Sequence, residues 1–253
     1  MYSFTEINRQ ANKGNLPSVA LRFKDKYLEN EIEGYQTLRV AGRETIGNEY
    51  ETEDLMNGVA IIGERTASRV ITVEYRLKER DNYLFQKKFK QLRKLLTTTE
   101  SVWFSFADEP DAFYFGRLAD MDAVSAEKYD VVSNFTFICE SSFKYSSEVS
   151  TTGLVTVDTF YKTLPTAIEL NVTTETQVIE IKHNGLTIRL NDYFSVGDNI
   201  LIDFAKSEVY KNGVNATYML ALNSDFENFY LEKGKSVTST NGTIKLKQRE
   251  GWL

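Results

Sequence analysis

Apolar and polar residues alternate along much of the first half of the chain. In VITVEYRL (70–77), every second residue from Ile71 to Leu77 is apolar, and the residues between them are mostly polar. The same period of two recurs in SVWFSF (101–106) and VVSNFTFIC (131–139). This period predicts antiparallel strands with one face in a core and the other in water.

One segment, about 82–97, instead repeats its apolar residues at helical spacing. Its apolar side consists of Phe85, Phe89, Leu92 and Leu96, and its basic side of Lys87, Lys90 and Lys94. Asp81 or Asn82 can cap the first turn. The pattern predicts a four-turn helix that lies on a sheet. Its basic side is more typical of a solvated or charge-paired face than of a phosphate site.

The second half changes character after the serine- and threonine-rich stretch 140–153. Short strand patterns follow in close succession, and no further helix pattern occurs. Three dipeptides suit tight hairpins because both central residues can take positive φ: Asn184-Gly185, Asn212-Gly213 and Asn241-Gly242. We therefore predict a mainly β protein of two domains, residues 1–145 and 146–253. The first is a β-sandwich or barrel-like domain with one α-helix, and the second is a β-sandwich or jelly roll.

A segment with a third character lies at 43–64, between two strand patterns. It contains several glycines and an acidic run before the dipeptide Asn57-Gly58. A core strand seldom has this composition, so we predict a long hairpin that projects from the first domain. The acidic run consists of Glu49, Glu51, Glu53 and Asp54, and Leu55 and Met56 follow it at the tip.

Composition removes several classes of function. The 253 residues carry a net charge of −6, which gives no reason to expect nucleic-acid binding, and they include one cysteine and one histidine. These counts exclude a disulfide framework and a cysteine-rich zinc site, and they weaken most triads and imidazole metal sites. The N-terminus lacks the pattern of a signal peptide, and apolar runs are short, so we expect a soluble protein of a reducing cytoplasm without membrane insertion.

The strongest chemical candidate is the acidic stretch DEPDAFYFGRL (108–118). Asp108, Glu109 and Asp111 would be the carboxylates of a glycan hydrolase, but such enzymes usually take them from separate elements across a cleft. A turn over ADEPDA, with Pro110 presetting φ, explains the residues better. We also expect His183 to be an exposed turn residue and Cys139 to be a buried, unreactive side chain. We expect no catalytic, cofactor-binding or metal-binding residues.

The order of these elements resembles the distal tail protein (Dit) family of long, non-contractile-tailed bacteriophages. The resemblance begins at ALRFKDKYLENEIEGYQTLRVAGRE (20–44) and is strongest over 69–145, through RVITVEYRL, the helix, WFSFADEPDAFYFGRL and FTFICESSFKYSS. In the second half, SVGDNILIDFAKSEVYKNG (195–213) and FENFYLEKGKSVTSTNGTIKLKQREGW (226–252) are similar to strands of the family's other domain.

The resemblance implies a structural virion protein of the phage tail tip, assembled in the host cytoplasm, that is not an enzyme. Its first domain would form a homo-hexameric ring that joins the major tail tube protein to the tail-tip or tail-associated lysin-type protein. DNA would pass through a central channel without specific binding. The 43–64 hairpin would belt each subunit to the next. The residues expected to reach the neighbour are Glu49, Glu51, Glu53, Asp54, Leu55 and Met56, and the candidate basic partners are Lys87, Lys90 and Lys94. The second domain would be galectin-like and would carry receptor-binding or baseplate proteins.

A second function stays open beside this one. Residues 146–253 could be a carbohydrate-binding adhesion module that recognises a host-surface saccharide, because β-sandwiches of this kind often carry such sites. The fold alone does not decide this, since function depends on the site.

Overall fold

The computed structural model describes residues 16–44, 47–125, 127–159 and 161–253. Residues 45 and 46 of the predicted hairpin segment lie outside this range. The described chain is mainly β, as the alternation predicts, and it divides into two compact units. The first unit ends at Lys144 and the second comprises Tyr145–Trp252. Within the described ranges, neither α-helix combines the length and apolar character that a membrane span requires.

The first unit contains two helices and the strands that precede the boundary. They are β1 (Leu21–Phe23), β2 (Lys26–Tyr27), α1 (Leu28–Glu31), β3 (Tyr35–Ala41), β4 (Asn48–Leu55), β5 (Gly58–Thr66), β6 (Val70–Lys78), α2 (Asn82–Leu96), β7 (Val102–Phe106), β8 (Glu109–Met121), β9 (Asp130–Cys139) and β10 (Lys144–Tyr145). The predicted helix is α2, and the structure adds the single turn of α1.

Seven strands of the first unit form an antiparallel sheet in the order β2-β1-β7-β8-β9-β6-β3. Its inner face is strongly aromatic, and the ring of Phe104 lies 4.5 Å from Phe137 and 5.5 Å from Tyr114 between centroids. Helix α2 adds Phe85 and Leu92 to the same core. The side chain of Asp81 caps α2 by accepting from the Leu84 N–H at 2.9 Å.

The second unit is built from short strands and two 3₁₀ turns. They are β11 (Val149–Thr151), β12 (Ala167–Val172), β13 (Thr176–His183), β14 (Leu186–Phe194), β15 (Asn199–Asp203), β16 (Glu208–Lys211), β17 (Val214–Asn215), the 3₁₀ turns Thr217–Met219 and Phe226–Asn228, β18 (Thr238–Ser239), β19 (Gly242–Gln248) and β20 (Gly251–Trp252).

Two sheets of the second unit, ordered β11-β19-β12-β15-β16-β17 and β14-β13-β18, share one hydrophobic core. Asn184-Gly185 and Asn212-Gly213 form two-residue turns in which all four residues have positive φ, as predicted. The prediction for Asn241-Gly242 was wrong, because Gly242 begins β19 beside the backbone of β12. A Cβ on Gly242 would lie 2.4 Å from the carbonyl oxygen of Asn171. The galectin-like character of this unit stays a prediction.

Candidate functional site

Strands β4 and β5 form a two-stranded sheet of their own. Every residue of β4 is exposed, and no residue of either strand belongs to the core of either unit. An isolated two-stranded hairpin is marginally stable in water unless something packs on it. This hairpin therefore has the properties of a segment that is completed by a partner.

Pairing between β4 and β5 gives the hairpin two chemically different faces. Glu49, Glu51 and Glu53 alternate onto one face, where only Glu49 has an ion pair among the described residues, with Arg65 at 2.5 Å. We call this the acidic face.

The opposite face of the hairpin is apolar toward its tip. It carries Tyr50, Val59 and Ile61, which are 52%, 56% and 63% exposed. Asp54, predicted with the acidic residues, pairs with Val59 and so lies on this second face. We call it the apolar face; exposed apolar side chains that stand together are typical of interaction surfaces.

The tip of the hairpin is also apolar. Leu55 is 57% exposed and Met56 is fully exposed, at the turn that leads into Gly58 with φ of +104°. A flexible, polarizable Met side chain adapts to irregular partner surfaces. Leu55 and Met56, predicted as contact residues, are therefore placed where a partner could reach them first.

The two ends of the hairpin, near Arg43 and Arg69, are held together where they leave the sheet, and we call this part the stem. Arg69, which follows β5, is 2% exposed, and its guanidinium donates to the carbonyl oxygens of Arg43 and Ser142. On the other side, Gly42 has φ of +92°, and a Cβ there would lie 2.0 Å from the carbonyl oxygen of Val70. The stem thus requires glycine at position 42 and a long, branched donor at position 69.

The acidic stretch at 108–118 supports this stem. Asp108 accepts from both Nη atoms of Arg43 at 2.7 and 2.8 Å. Glu109 accepts from Lys144 Nζ at 2.8 Å and from the Tyr114 hydroxyl at 2.8 Å. All four carboxylate oxygens are thereby engaged, so these residues are structural rather than a free acid/base pair.

The predicted turn over 107–112 is shorter than the sequence suggested. Ala107 and Asp108 alone connect β7 to β8, since Phe106 already pairs with Glu109. Pro110 lies in β8 rather than in the turn, and Asp111 is exposed. The bonds of Asp108 go to Arg43 of the hairpin stem, which is 65 residues away in sequence.

Burial and ion pairing shift several pKa values in the stem. Asp108 raises the pKa of the Arg43 guanidinium. Lys144 lowers the pKa of Glu44, because the Lys144 Nζ lies 2.7 Å from the Glu44 Oε1. Burial, and then Glu109, raise the pKa of Tyr114 well above its usual value. At neutral pH the Arg43 guanidinium and the Glu44 carboxylate of the stem are therefore charged.

The three predicted basic residues Lys87, Lys90 and Lys94 are exposed on the outer side of α2. They lie opposite the buried Phe85 and Leu92, at the spacing that the sequence indicated. Within the described ranges they form no ion pair, and the single chain does not bring them together with the hairpin. Their pairing with its acidic face stays a prediction.

His183 is buried, and the prediction of an exposed turn residue was wrong. It is 1% exposed, its Nε2 accepts from the Glu232 N–H at 2.9 Å, and its Nδ1 lies 3.3 Å from the carbonyl oxygen of Ser236. Nε2 as acceptor leaves Nδ1 as the donor, so the imidazole joins the end of β13 to the backbone of residues 232–236. Cys139 is buried as predicted, and burial raises its pKa to about 12.

Sequence reasoning missed two parts of this site. The apolar face went unnoticed because acidic residues dominate β4, although Val59, Ile61 and Ile62 stand together in sequence. The role of Arg43 and Arg69 has no local signal, because their partners lie 26 to 73 residues away.

Two sequence-family models match the chain, one before and one after the end of the first unit at Lys144. A model described as "Phage tail protein RIFT-related domain" matches residues 29–139. A model described as "Siphovirus-type tail component, C-terminal domain" matches residues 159–252. In a comparison with curated protein sequences, nothing matches significantly.

Solved structures share the fold over most of the chain. The crystal structure of SPP1 Dit, a protein described as a paradigm of hub adsorption apparatus in phages that infect Gram-positive bacteria, aligns with a TM-score of 0.67 at 17% identity. That alignment covers 92% of this chain and 99% of the other. A chain of the phage P2 baseplate in its activated conformation with Ca aligns with a TM-score of 0.57 at 10% identity, covering 89% and 94%. With both halves of the chain matched in order, the protein belongs to the distal tail protein (Dit) family of long, non-contractile-tailed bacteriophages.

Proposed function

We propose that the chain forms a homo-hexameric ring, a hub that joins the phage tail tube to the tail tip or baseplate and leaves a central channel for DNA. Membership of the Dit family supports a structural role in the tail, and the descriptions of SPP1 Dit and the P2 baseplate support a hub. The net charge of −6 suits a channel through which DNA slides without binding.

The observation that carries this proposal is the hairpin β4–β5. It exposes an apolar face and an apolar tip and has no core of its own. Exposed apolar surface of this kind is costly in a free monomer and marks a contact. A second copy of the chain is the occupant, since a hairpin that meets a different patch on its neighbour makes a heterologous contact, and such contacts build a ring when the rotation between neighbours closes.

The two faces of the hairpin have different roles in this ring. The apolar face, with Val59 and Ile61, packs against the neighbour and supplies most of the affinity. The acidic face meets Lys87, Lys90 and Lys94 of a neighbour and sets orientation and salt dependence. The first unit contacts the tail tube and tail-tip proteins, and the second carries receptor-binding or baseplate proteins.

Two sets of variants test these roles. Val59→Ser with Ile61→Ser should abolish the oligomer, whereas Val214→Ser, at a residue 70% exposed in the second unit, should leave it intact. Reversing Lys87, Lys90 and Lys94 to Glu should weaken assembly and remove its salt sensitivity. Mass photometry over a range of salt concentrations reads both results. Unchanged assembly in the serine variant would overturn the belt, and unchanged salt response in the lysine variant would overturn the charge pairing.

A further inference from the structure

The outer face of the six-stranded sheet in the second unit carries a cleft of about 580 Å³. Strand pairing sets Glu169, Leu201 and Tyr210 side by side across β12, β15 and β16 on this face. The neighbouring residues in each strand point the other way into the core, and Ile202 and Val209 are fully buried. The floor of the cleft therefore belongs to one sheet, while Lys206, Asn212 and Gly213 of its lining come from the turns that follow β15 and β16.

The floor of the cleft is a half-buried apolar strip. Tyr210 and Leu201 are directly opposite each other, and the Tyr210 hydroxyl donates to Glu208. A tyrosine ring beside a leucine offers a flat apolar surface, which is what the C–H face of a pyranose ring packs on.

Amide and carboxylate groups border this floor in fixed positions. Asn212 accepts from the Asn199 N–H at 2.9 Å and donates to Asp198 at 2.8 Å. Asp203 accepts from the Lys206 N–H at 3.1 Å through Oδ1, which leaves Oδ2 as an acceptor. The side-chain amide of Asn199 is exposed and has no hydrogen-bond partner in the described chain. Planar donors and acceptors beside an apolar floor match the hydroxyl groups of a sugar.

The charges of the cleft are balanced internally. Glu169 lies 2.6 Å from Lys247 Nζ and 3.4 Å from Lys245 Nζ, and Lys247 lowers the pKa of Glu169. Lys206 opposes the charge of Asp203 in the same lining. Among the described residues no three side chains of His, Cys, Asp or Glu come together as metal ligands. A balanced polar surface favours a neutral ligand over an anion or a cation.

We propose that this cleft binds a neutral saccharide, with Tyr210 and Leu201 as the stacking floor and with Asn199 and Asp203 as hydroxyl partners. The proposal does not rest on the ring, because every residue of the cleft belongs to the second unit of a single chain.

The test uses the full chain and four neutral probes: maltotetraose, cellotetraose, tetra-N-acetylchitotetraose and laminaritetraose. Saturation-transfer NMR detects binding, and calorimetric titration measures it. Tyr210→Ala should weaken the bound probe about tenfold or more, while Tyr210→Phe, which keeps the ring, should bind within about twofold of the parent. Tyr193→Ala is the matched control, because Tyr193 is 57% exposed and lies outside the cleft lining.

Each outcome decides the proposal. Binding that Tyr210→Ala removes and that Tyr210→Phe and Tyr193→Ala retain supports it. No binding of any probe at about 10 mM, or binding that is indifferent to Tyr210→Ala, overturns it. Far-UV circular dichroism of each variant separates loss of the site from loss of the fold. Assembly is scored in parallel by mass, so a failure of the ring is distinguishable from a failure of the cleft.

Discussion

Replacing Arg69 by Met tests how the hairpin stem is held. The guanidinium of Arg69 is buried, and its Nε and Nη2 atoms donate to the carbonyl oxygen of Ser142 at 3.0 and 2.6 Å. Its Nη1 donates to the carbonyl oxygen of Arg43 on the other side of the hairpin. Methionine keeps most of the side-chain length but removes every donor, so both carbonyls lose their partner.

The expected loss follows from those two carbonyls. A buried acceptor without a partner costs about 1–3 kcal/mol, so two cost about 2–6 kcal/mol. Removing a desolvated positive charge offsets part of this, and we expect a net loss of about 2–4 kcal/mol. That is a large share of the roughly 5–15 kcal/mol that stabilises a typical domain.

Urea unfolding followed by tryptophan fluorescence measures this loss, with Trp103 as a reporter in the first unit. Arg65→Met is the matched control, because Arg65 is 79% exposed and its ion pair with Glu49 contributes less than about 1 kcal/mol. The midpoint of Arg69→Met should fall well below that of Arg65→Met at similar slope. Equal midpoints for the two variants would refute the claim that Arg69 holds the stem.

Three further predictions concern buried groups. Burial raises the pKa of Glu29 above 4.5, so the folded chain binds this proton more tightly than the unfolded chain, and the unfolding free energy falls as pH rises from 4.5 through the raised pKa. Glu29→Gln should remove this fall between urea unfolding curves at pH 4.5 and pH 7, and an equal fall in the variant and the parent would contradict the reasoning. Because burial raises the pKa of Cys139 to about 12, iodoacetamide at pH 8 should label it only when urea has unfolded the protein. Labelling of the native protein, detected by mass spectrometry, would disprove this. His183→Leu leaves a backbone donor and an acceptor unpaired and should cost about 2–4 kcal/mol in the second unit, whereas a loss below about 1 kcal/mol would show that water replaces the imidazole.

Local sequence determined much of the fold. The alternation in β6 and β9, the helical spacing in α2 and its Asp81 cap are all present, because each depends on residues within a few positions. The hairpin turns predicted at Asn184-Gly185 and Asn212-Gly213 are present for the same reason. Asn241-Gly242 failed because Gly242 is required by the backbone of β12, about 70 residues earlier in the chain.

The candidate site was less accessible to sequence reasoning. The acidic residues of the hairpin were visible, but the separation of its two faces depends on strand pairing and on a bulge beside Glu51 and Thr52. The sequence predicted that Asp108 is a turn residue, whereas its side chain accepts hydrogen bonds from Arg43 of the stem. The prediction that His183 is exposed was wrong for a related reason. The dipeptide that follows it forms the predicted turn, but 3₁₀ and loop segments from residues 226–236 cover the imidazole.

The measurement that tests the hub most directly is native mass spectrometry of the purified chain across a range of concentrations, with negative-stain imaging of the same samples. The ring proposal predicts a species of six times 29.0 kDa whose particles are rings with an open centre, and it predicts the loss of that species in Val59→Ser with Ile61→Ser. A chain that stays monomeric at high concentration, or that forms a two-fold dimer in which the hairpin stays exposed, would contradict it.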